Sequence, residues 1–280
     1  MAIPIFISHS GAQPHVLDCL RQTATHNREI FFIGDDSNRS FAHLIPGLRW
    51  IDRRSIELSP KTLEILRRFT NYSTNSREFE LFCISRMFYA QALLDILSCD
   101  SCFHLDSDCA LLTDINSVRF SSHIALSVYS EFGNSLRMAA SVHNALITQA
   151  YLRRFTELAE EIYVQGTGFG LIADKIRFHQ QNQIEGGVCD MTLHCILSKE
   201  MSVQNLGAAF DGQVFDYRFG SGEGNELQSQ YAMDSGHKVL RRENGDVYIR
   251  DLRGPWIKLL SIHFQGDSKK FVTILDRICG

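Results

Sequence analysis

The stretch CDSCFHLDSDCALLTD, residues 99–114, places two carboxylates, Asp106 and Asp108, between two apolar segments. In one plain β-strand both side chains would point to the same face, where their like charges repel each other. A divalent cation would remove that repulsion, because hard ions such as Mn²⁺ and Mg²⁺ take carboxylate oxygens as ligands, often together with substrate phosphates. The tripeptide alone fits two interpretations equally well, a metal site and a polar turn between two buried strands.

Strands and helices alternate in the sequence up to this stretch. Continuous apolar runs predict the strands, and apolar residues at helical spacing predict the helices between them. Ser59 and Pro60 fit the N-cap and the first position of one helix. The predicted strands are 3–8, 29–34, 48–51 and 102–106, and the predicted helices are 15–24, a second from Ser59 onward, and about 76–97. This alternation predicts an α/β fold with a Rossmann-like, mostly parallel sheet that helices cover on both faces.

The second half of the chain has a less regular pattern. Its predicted elements are a strand at 123–129, a helix, broken or continuous, at 141–163, a short helix at 190–198 and a late strand at 256–266. Asn244-Gly245 is a hairpin turn signal between two short strands. Because the chain has no internal repeat and no long linker, it is interpreted as a single α/β domain, 1–280. The nucleotide-binding half would be 1–115 and the irregular half 116–280.

Polar residues follow three of the predicted parallel strands. Ser8-His9-Ser10 come after the first strand, Asp35-Asp36 after the second, and Asp106-Ser107-Asp108 after the fourth. In an open α/β sheet, ligands bind beyond the carboxyl ends of the strands. We therefore expect these residues to converge on one edge of the sheet, which favours the metal-site interpretation of the two aspartates.

Composition and local sequence argue against a nucleic-acid-binding protein, a membrane span and a signal peptide. The chain has 280 residues, 44% of them hydrophobic, which is enough for a sizeable core. Charged residues make up 21% and the net charge is −4, so the basic field that nucleic-acid binders need is missing. No segment reaches the roughly 18 apolar residues of a membrane span. The first residues, MAIPIFISHS, lack the basic region of a signal peptide.

The sequence contains eight cysteines, most of them in apolar contexts. Cys99 and Cys102 form a lone C-x-x-C without the second pair that a structural zinc site needs. We expect reduced thiols and, with them, a cytoplasmic location.

A second motif, H-x-x-G-x-x-K, lies near the end of the chain in SIHFQGDSKKF, with His263, Gly266 and Lys269. A histidine beside the two aspartates would complete a set of metal ligands. Glycine lets backbone N–H groups approach an anion closely, and lysine neutralises phosphate as a point charge. Without the aspartates, the same residues would be interpreted as a surface loop.

Taken together, the two motifs resemble those of the GT-A glycosyltransferases, and most closely those of the family of glycogenin and the bacterial lipooligosaccharide galactosyltransferase. The resemblance covers most of the chain as an order of motifs. It implies a GT-A fold whose first half binds a nucleotide sugar and whose second half is on the acceptor side. It also implies that Asp106, Asp108 and His263 bind Mn²⁺ or Mg²⁺, and that Gly266 and Lys269 contact the diphosphate of the donor.

Two further segments extend the resemblance. The family has an arginine in a helix before the D-x-D strand, near the donor diphosphate and sugar, and Arg86 in FCISRMFYAQALL matches it. The family also has an acidic segment that opens a helix near the anomeric carbon, and Asp190 in GGVCDMTLHCIL matches its last carboxylate. Asp190 could instead be only a helix N-cap.

The sequence departs from the family at two places. Cys189 stands where the family has a glutamine, and Lys270 and Phe271 stand where it has proline and tryptophan. The H-x-x-G-x-x-K segment resembles that of retaining enzymes, which favours retention of the anomeric configuration. The loss of the glutamine leaves inversion open.

The resulting hypothesis is a metal-dependent transferase of a hexose from a nucleotide-diphosphate sugar, UDP-linked by preference, to an acceptor hydroxyl. The acceptor would be a glycan, a lipid, a protein or a small molecule. Two alternatives stay open: a nucleotidyltransferase or sugar-nucleotide hydrolase with the same metal site, and a non-catalytic sugar-nucleotide-binding protein. Candidates for contact with the nucleotide are Ser8, His9, Ser10, Asp35, Asp36 and Ser107. The polar stretch 220–230 is a candidate lid that excludes water.

Overall fold

The computed structural model describes residues 2–129, 135–220 and 228–279. Its strands are β1 (Ile5–Ser8), β2 (Ile30–Gly34), β3 (Leu48–Asp52), β4 (Tyr72–Ser73), β5 (Ser101–Asp106), β6 (Cys109–Leu111), β7 (Ala125–Tyr129), β8 (Ala139–Thr148), β9 (Gly187–Val188), β10 (Gln204–Asn205), β11 (Gln213–Phe215), β12 (Met233–Asp234), β13 (His237–Lys238), β14 (Leu240–Glu243), β15 (Asp246–Arg250) and β16 (Trp256–His263). Its helices are α1 (Pro14–His26), α2 (Phe41–Leu44), α3 (Pro60–Arg68), α4 (Arg77–Leu97), α5 (Gln149–Glu160), α6 (Gly170–Asn182), α7 (Asp190–Glu200) and α8 (Ile274–Cys279).

The largest sheet in the described residues has seven strands in the order β10-β7-β8-β5-β1-β2-β3. Strands β5, β1, β2 and β3 run parallel, β10 runs parallel to β7, and β8 is antiparallel to both of its neighbours. The predicted α/β fold with a mostly parallel sheet is therefore confirmed. The predicted N-cap of α3 is also present, since the Ser59 hydroxyl accepts a hydrogen bond from the Thr62 N–H.

Helices cover both faces of this sheet, as the continuous apolar strands predict. In β1, Phe6 packs in a core with residues of α3, α4, α5 and α7. Its neighbours Ile5 and Ile7 point to the opposite face and pack with Val16 and Leu20 of α1. Alternate side chains of one strand thus lie in two separate cores, which fixes the register of the central strands.

The prediction of a helix over 141–163 is wrong for its first part. Residues Ala139–Thr148 form β8, and helix α5 begins only at Gln149, where the Thr148 hydroxyl caps it. The segment AASVHNALIT is apolar on average and pairs with β5 and β7 on either side. An apolar run of this kind does not distinguish a central strand from a buried helix by its spacing alone, so the non-local pairing decides.

A second sheet among the described residues has the order β11-β16-β15-β14, and β6 joins it by pairing with β16. The predicted hairpin is present: Asn244 and Gly245 have positive φ of 52° and 86° between β14 and β15. The antiparallel pairing of β6 with β16 sets His263 opposite Cys109. This register brings the end of the chain to the residues that follow β5.

Three smaller findings complete the fold. Most of the stretch 220–230, the candidate lid, lies outside the described residues. Each of the seven cysteines whose side chains the structure describes is a free thiol. Among the described helices, none combines the length and the apolar character that crossing a bilayer requires.

Candidate active site

A cavity of about 1130 Å³ lies at the carboxyl ends of β1 and β5. Ser8 and Asp106, the last residues of these two strands, are in register side by side. The cavity brings together nearly all of the residues that the sequence singled out. Its lining includes Ser8, His9, Ser10, Arg86, Asp106, Ser107, Asp108, Asp190, His263, Gly266 and Lys269.

Asp108 lies in the turn between β5 and β6 and faces the His263 imidazole and the Lys269 ammonium. Its Oδ1 is 3.3 Å from Nε2 of His263, and its Oδ2 is 2.9 Å from Nζ of Lys269. The pairing of β6 with β16 brings His263 to Asp108. The Asp108 carbonyl accepts a hydrogen bond from the N–H of Phe264, the residue after His263. Burial by itself would raise the pKa of Asp108, but His263 and Lys269 outweigh burial and hold the pKa well below its ordinary value.

The His263 ring has a fixed orientation. Its Nδ1 donates to the carbonyl of Tyr217 at 2.6 Å, so Nε2 is the nitrogen that faces Asp108. Burial lowers the pKa of His263, and the Asp108 carboxylate more than offsets this, so the net shift is upward. A histidine whose other nitrogen donates to a carbonyl is the arrangement found around metal-ligating histidines.

The pair of Asp108 and His263 fits a divalent cation. Two ligands at right angles around an octahedral ion, with metal–ligand distances of about 2.1 Å, lie about 3 Å apart. The separation of 3.3 Å between Asp108 Oδ1 and His263 Nε2 is close to that value. The carboxylate oxygen suits Mn²⁺ or Mg²⁺, and the imidazole nitrogen suits transition-metal ions, so the mixed pair favours Mn²⁺ over Mg²⁺. Cys109 offers a third ligand atom within 4.8 Å of both, and burial raises the pKa of its thiol well above the ordinary value.

Asp106, the other aspartate of the motif, points to a different partner. It ends β5, and its Oδ1 accepts a hydrogen bond from Nη1 of Arg86 at 2.5 Å. Burial raises the pKa of Asp106, but the Arg86 guanidinium outweighs burial and the net shift is downward. The turn at 107–108 thus separates the two carboxylates. Each has its own cationic partner, Arg86 for Asp106 and Lys269 for Asp108, which offsets their repulsion.

Arg86 joins the D-x-D strand to helix α7. Its Nη2 donates to Oδ2 of Asp190 at 3.0 Å while Nη1 holds Asp106, so one planar guanidinium bridges two carboxylates. All three side chains are largely or fully buried, with Asp106 the most exposed at 23%. Arginine suits this place because its donors form a rigid fork.

Asp190 is the first residue of α7, and Cys189 takes the N-cap position. The Oδ1 of Asp190 accepts a hydrogen bond from the Met191 N–H at 2.8 Å, and Oδ2 accepts from Arg86. Burial raises the pKa of Asp190, and Arg86 reduces that rise without cancelling it. The interpretation of Asp190 as only an N-cap is therefore wrong, because Cys189 takes that position and Asp190 lies in the first turn, where it lines the cavity.

The candidates for nucleotide contact divide into two groups. Ser107 hydrogen-bonds His9 at 2.8 Å, and Ser10 donates to Asp35 at 2.7 Å, which places Asp35 behind the cavity wall. Burial raises the pKa of Asp35, but hydrogen bonds from Ser37 and Ser10 outweigh it and bring the pKa to about 2. Asp36 lies apart: its side chain is 68% exposed and pairs with Arg54, so the structure does not bring it to the cavity.

Gly266 and Lys269 belong to a 3-10 helix, Gly266–Phe271, that borders the cavity. Gly266 has φ +58°, in the left-handed region that favours glycine. The H-x-x-G-x-x-K spacing thus places the histidine at the end of β16, the glycine at the turn and the lysine on the following helix.

Sequence reasoning missed Glu80, another carboxylate of the cavity wall. It lies on α4 before Arg86, is fully buried, and accepts a hydrogen bond from Asn75 at 2.8 Å. Glu80, Cys189 and Asp190 offer ligand atoms within 4.8 Å of one another. Burial raises the pKa of Glu80, and the Asn75 hydrogen bond lowers it by less. The sequence feature that could have identified Glu80 is an acidic residue within the long, mostly apolar segment that forms α4.

No protein-family model matches the sequence, and no curated protein matches it either. Several solved structures do match. The glycosyltransferase GlyE of Streptococcus pneumoniae is 15% identical with a TM-score of 0.41, over 76% of this chain and 47% of that one. The bifunctional glycosyltransferase WbbM is 12% identical with a TM-score of 0.42, over 74% and 39%. PaToxG glycosyltransferase is 14% identical with a TM-score of 0.38, over 71% and 70%. The chain thus spans less than half the length of the first two proteins.

Proposed function

We propose that this protein is a Mn²⁺- or Mg²⁺-dependent glycosyltransferase that moves a hexose from a nucleotide-diphosphate sugar, a UDP-sugar by preference, to an acceptor hydroxyl. The observation that carries the proposal is that Asp108, His263, Lys269, Arg86 and Asp190 line one cavity although they come from distant parts of the sequence. Transfer of a sugar from a diphosphate is assisted by a cation site, by positive charge for the leaving group and by an ordered carboxylate near the sugar. These groups supply that set of charges.

The diphosphate end of the cavity contains Asp108, His263 and Lys269. Asp108 and His263 would hold the cation. Asp106, the third ligand that the resemblance implies, is held by Arg86 and lies outside the group of ligand atoms within 4.8 Å of one another. When bound, the ion acts as a Lewis acid towards the diphosphate oxygens. The Lys269 side chain is 38% exposed, and its ammonium adds positive charge where the leaving diphosphate becomes more negative. It therefore stabilises the transition state more than the bound donor.

The sugar end contains Arg86 and Asp190. Arg86 holds one oxygen of Asp190 and the Met191 N–H holds the other, so the carboxylate has a fixed orientation. A fixed, buried carboxylate can hydrogen-bond a sugar hydroxyl and stabilise positive charge at the anomeric carbon. Because Arg86 also holds Asp106, the sugar end is tied mechanically to the predicted cation end.

Retention of the anomeric configuration is the favoured outcome. A general base for inversion has to take the proton of the acceptor hydroxyl within hydrogen-bond reach. The preference for retention rests on the resemblance of the H-x-x-G-x-x-K segment to that of retaining enzymes, and the bonds from Arg86 and the Met191 N–H fit a role of Asp190 in orienting the sugar. In a retaining reaction the phosphate oxygen of the donor accepts that proton on the same face of the sugar.

The nucleoside end would be formed by Ser8, His9, Ser10 and Ser107, with Asp35 fixing Ser10 from behind. The hydroxyls and the imidazole offer hydrogen bonds to a ribose and a base. Asp36 has no part in this proposal, because it lies at the surface and pairs with Arg54.

A thermal-shift panel of nucleotide sugars, each with and without Mn²⁺, tests the proposal first. A ligand at about 100 times its Kd stabilises the folded state by about 2.7 kcal/mol. We expect that stabilisation for a UDP-sugar when Mn²⁺ is present.

The carboxylate variant of the site is Asp108→Asn, and its matched control is Asp174→Asn. Asp174 is 70% exposed on α6 and pairs only with Arg177 among the described ion pairs.

Product analysis with the stabilising sugar nucleotide, labelled in its sugar, separates the alternatives. Glycosyl transfer gives labelled acceptor or, without an acceptor, slow release of free sugar and UDP. Release of a sugar phosphate or formation of a new pyrophosphate bond would indicate a hydrolase or nucleotidyltransferase. Binding with neither product in the presence of a broad acceptor panel would indicate a non-catalytic binding protein.

A further inference from the structure

A fully buried ion pair lies behind the candidate cation site, and the chemistry proposed above does not use it. Nζ of Lys238, on β13, is 2.6 Å from Oδ1 of Asp216, the residue after β11, and both side chains have 0% exposure. The same ammonium donates to Oε1 of Gln228 at 2.5 Å. Burying two charges carries a desolvation penalty that often equals or exceeds their attraction, so such a pair is weak evidence for stability. A different role for it is to position the groups around it.

Asp216 connects this pair directly to His263. Its second oxygen, Oδ2, accepts a hydrogen bond from the backbone N–H of His263 at 2.9 Å. Its backbone carbonyl faces Nε2 of His143 at 3.2 Å, and the His143 ring stacks on the His263 ring with centroids 4.5 Å apart. Asp216 therefore fixes both the backbone of His263 and the ring that lies against its side chain.

Gln228 extends the same network to the residue that orients the His263 ring. Its Oε1 accepts from the Tyr217 N–H at 3.0 Å, and its Nε2 donates to the Phe215 carbonyl at 3.0 Å. These bonds hold the backbone on both sides of Asp216. The carbonyl of Tyr217 accepts from Nδ1 of His263, and this is the bond that leaves Nε2 facing Asp108.

We propose that Lys238 is a positioning residue for the cation site. Through Asp216 and Gln228 it holds the backbone of 215–217 in place, so that the Tyr217 carbonyl fixes the His263 ring with Nε2 towards Asp108. The part of this inference that concerns metal affinity rests on the proposed function, whereas the part that concerns the His263 ring does not. Outer groups that orient a metal-ligating histidine typically change metal affinity about 10- to 100-fold when they are removed.

The test uses the full chain, with Mn²⁺ alone as the probe. Lys238→Met keeps the length of the side chain but leaves Asp216 buried and unpaired, so the variant Lys238→Met/Asp216→Asn, which removes both charges, accompanies it. The matched control is Lys258→Met, because Lys258 on β16 forms a Lys–Asp pair of 2.7 Å with Asp246 on β15, yet is 32% exposed and five residues from His263 along the strand. Circular dichroism and thermal melts establish which variants are folded.

Mn²⁺ affinity is measured from the electron paramagnetic resonance signal of the free ion. We expect about 10- to 100-fold weaker binding in the folded Lys238 variants and unchanged binding in the control. Nitrogen NMR of the His263 ring, at a pH where the ring is neutral, should show the proton on Nδ1 in the wild type and a mixture of tautomers in the variants. Unchanged Mn²⁺ affinity and an unchanged tautomer in a folded variant would overturn the inference.

The two proposals fail differently. If the wild type binds no Mn²⁺ while its His263 ring carries the proton on Nδ1 and loses that preference in the variants, the proposed metal dependence is wrong and the positioning role holds. If the wild-type ring carries its proton on Nε2, the positioning role is wrong even where no Lys238 variant folds.

Discussion

Replacing Arg86 by lysine would remove the fork that bridges Asp106 and Asp190. An ammonium on a flexible stem cannot reproduce two hydrogen bonds from one rigid plane. The lysine can reach one carboxylate, and the other is left buried without its cation. Since the two carboxylates belong to β5 and α7, the change loosens the contact between the predicted cation end and the sugar end of the cavity.

The magnitude follows from the burial of the three side chains. A hydrogen bond to a charged group contributes about 1.5–3 kcal/mol, and breaking a buried ion pair by removing one partner costs about 3–5 kcal/mol. Because lysine retains one of the two contacts, we expect Arg86→Lys to lower the free energy of unfolding by about 2–4 kcal/mol at neutral pH. The deficit should shrink as the pH falls, because the carboxylate left unpaired has a raised pKa and takes up a proton in the folded state.

Urea denaturation at several pH values, followed by circular dichroism, measures this effect. Arg154→Lys is the matched control: Arg154 also hydrogen-bonds two carboxylates, Glu161 at 2.7 Å and Glu200 at 3.0 Å, with a third, Glu157, at 3.8 Å, but its side chain is 28% exposed. For that partly exposed arginine we expect a loss below about 1 kcal/mol. Equal losses in the two variants, or a deficit in Arg86→Lys that does not depend on pH, would refute the reasoning.

Three further predictions concern single residues of the cavity. Lys269→Ala should lower kcat more than it raises KM, because the ammonium stabilises charge that grows on the leaving diphosphate; a change in KM alone would mean that Lys269 only binds the donor. Asp190→Asn should keep measurable transfer with retained configuration, read by proton NMR of the product, whereas an inverted product and an inactive variant would make Asp190 the general base. Glu80→Gln should be at least as stable as the wild type at pH 7.5 in urea titrations. Burial raises the pKa of Glu80, so wild-type stability relative to this variant falls as the pH rises through that pKa; a loss above about 2 kcal/mol at pH 7.5 would contradict this.

Much of the first half of the fold could be predicted from local patterns. The strands of 3–8, 29–34 and 48–51 are short apolar runs, and the N-cap Ser59 marks a helix start by chemistry that involves only neighbouring residues. Because ligands of an open α/β sheet bind beyond the carboxyl ends of its strands, the sequence alone predicts that Ser8–Ser10 and the D-x-D residues lie at one edge of the sheet.

The rest depends on contacts between distant residues, which no local pattern contains. The local pattern of 141–148 predicts a helix, but pairing with β5 and β7 makes these residues part of strand β8. Proximity of His263 to Asp108 follows from the pairing of β6 with β16, and the sequence suggested it only through the resemblance to a family. The forked contact of Arg86, the burial of Glu80 and the pair of Lys238 with Asp216 required the structure itself.

Calorimetry of UDP binding, with and without Mn²⁺, tests the central claim most directly. The wild type and Asp174→Asn should bind UDP more tightly when Mn²⁺ is present. Asp108→Asn should lose that dependence while remaining folded. The carboxylate that this change removes contacts both His263 and Lys269 and is expected to bind the ion. UDP affinity that is independent of Mn²⁺ in the wild type, or a Mn²⁺ dependence that Asp108→Asn leaves intact, would contradict the account.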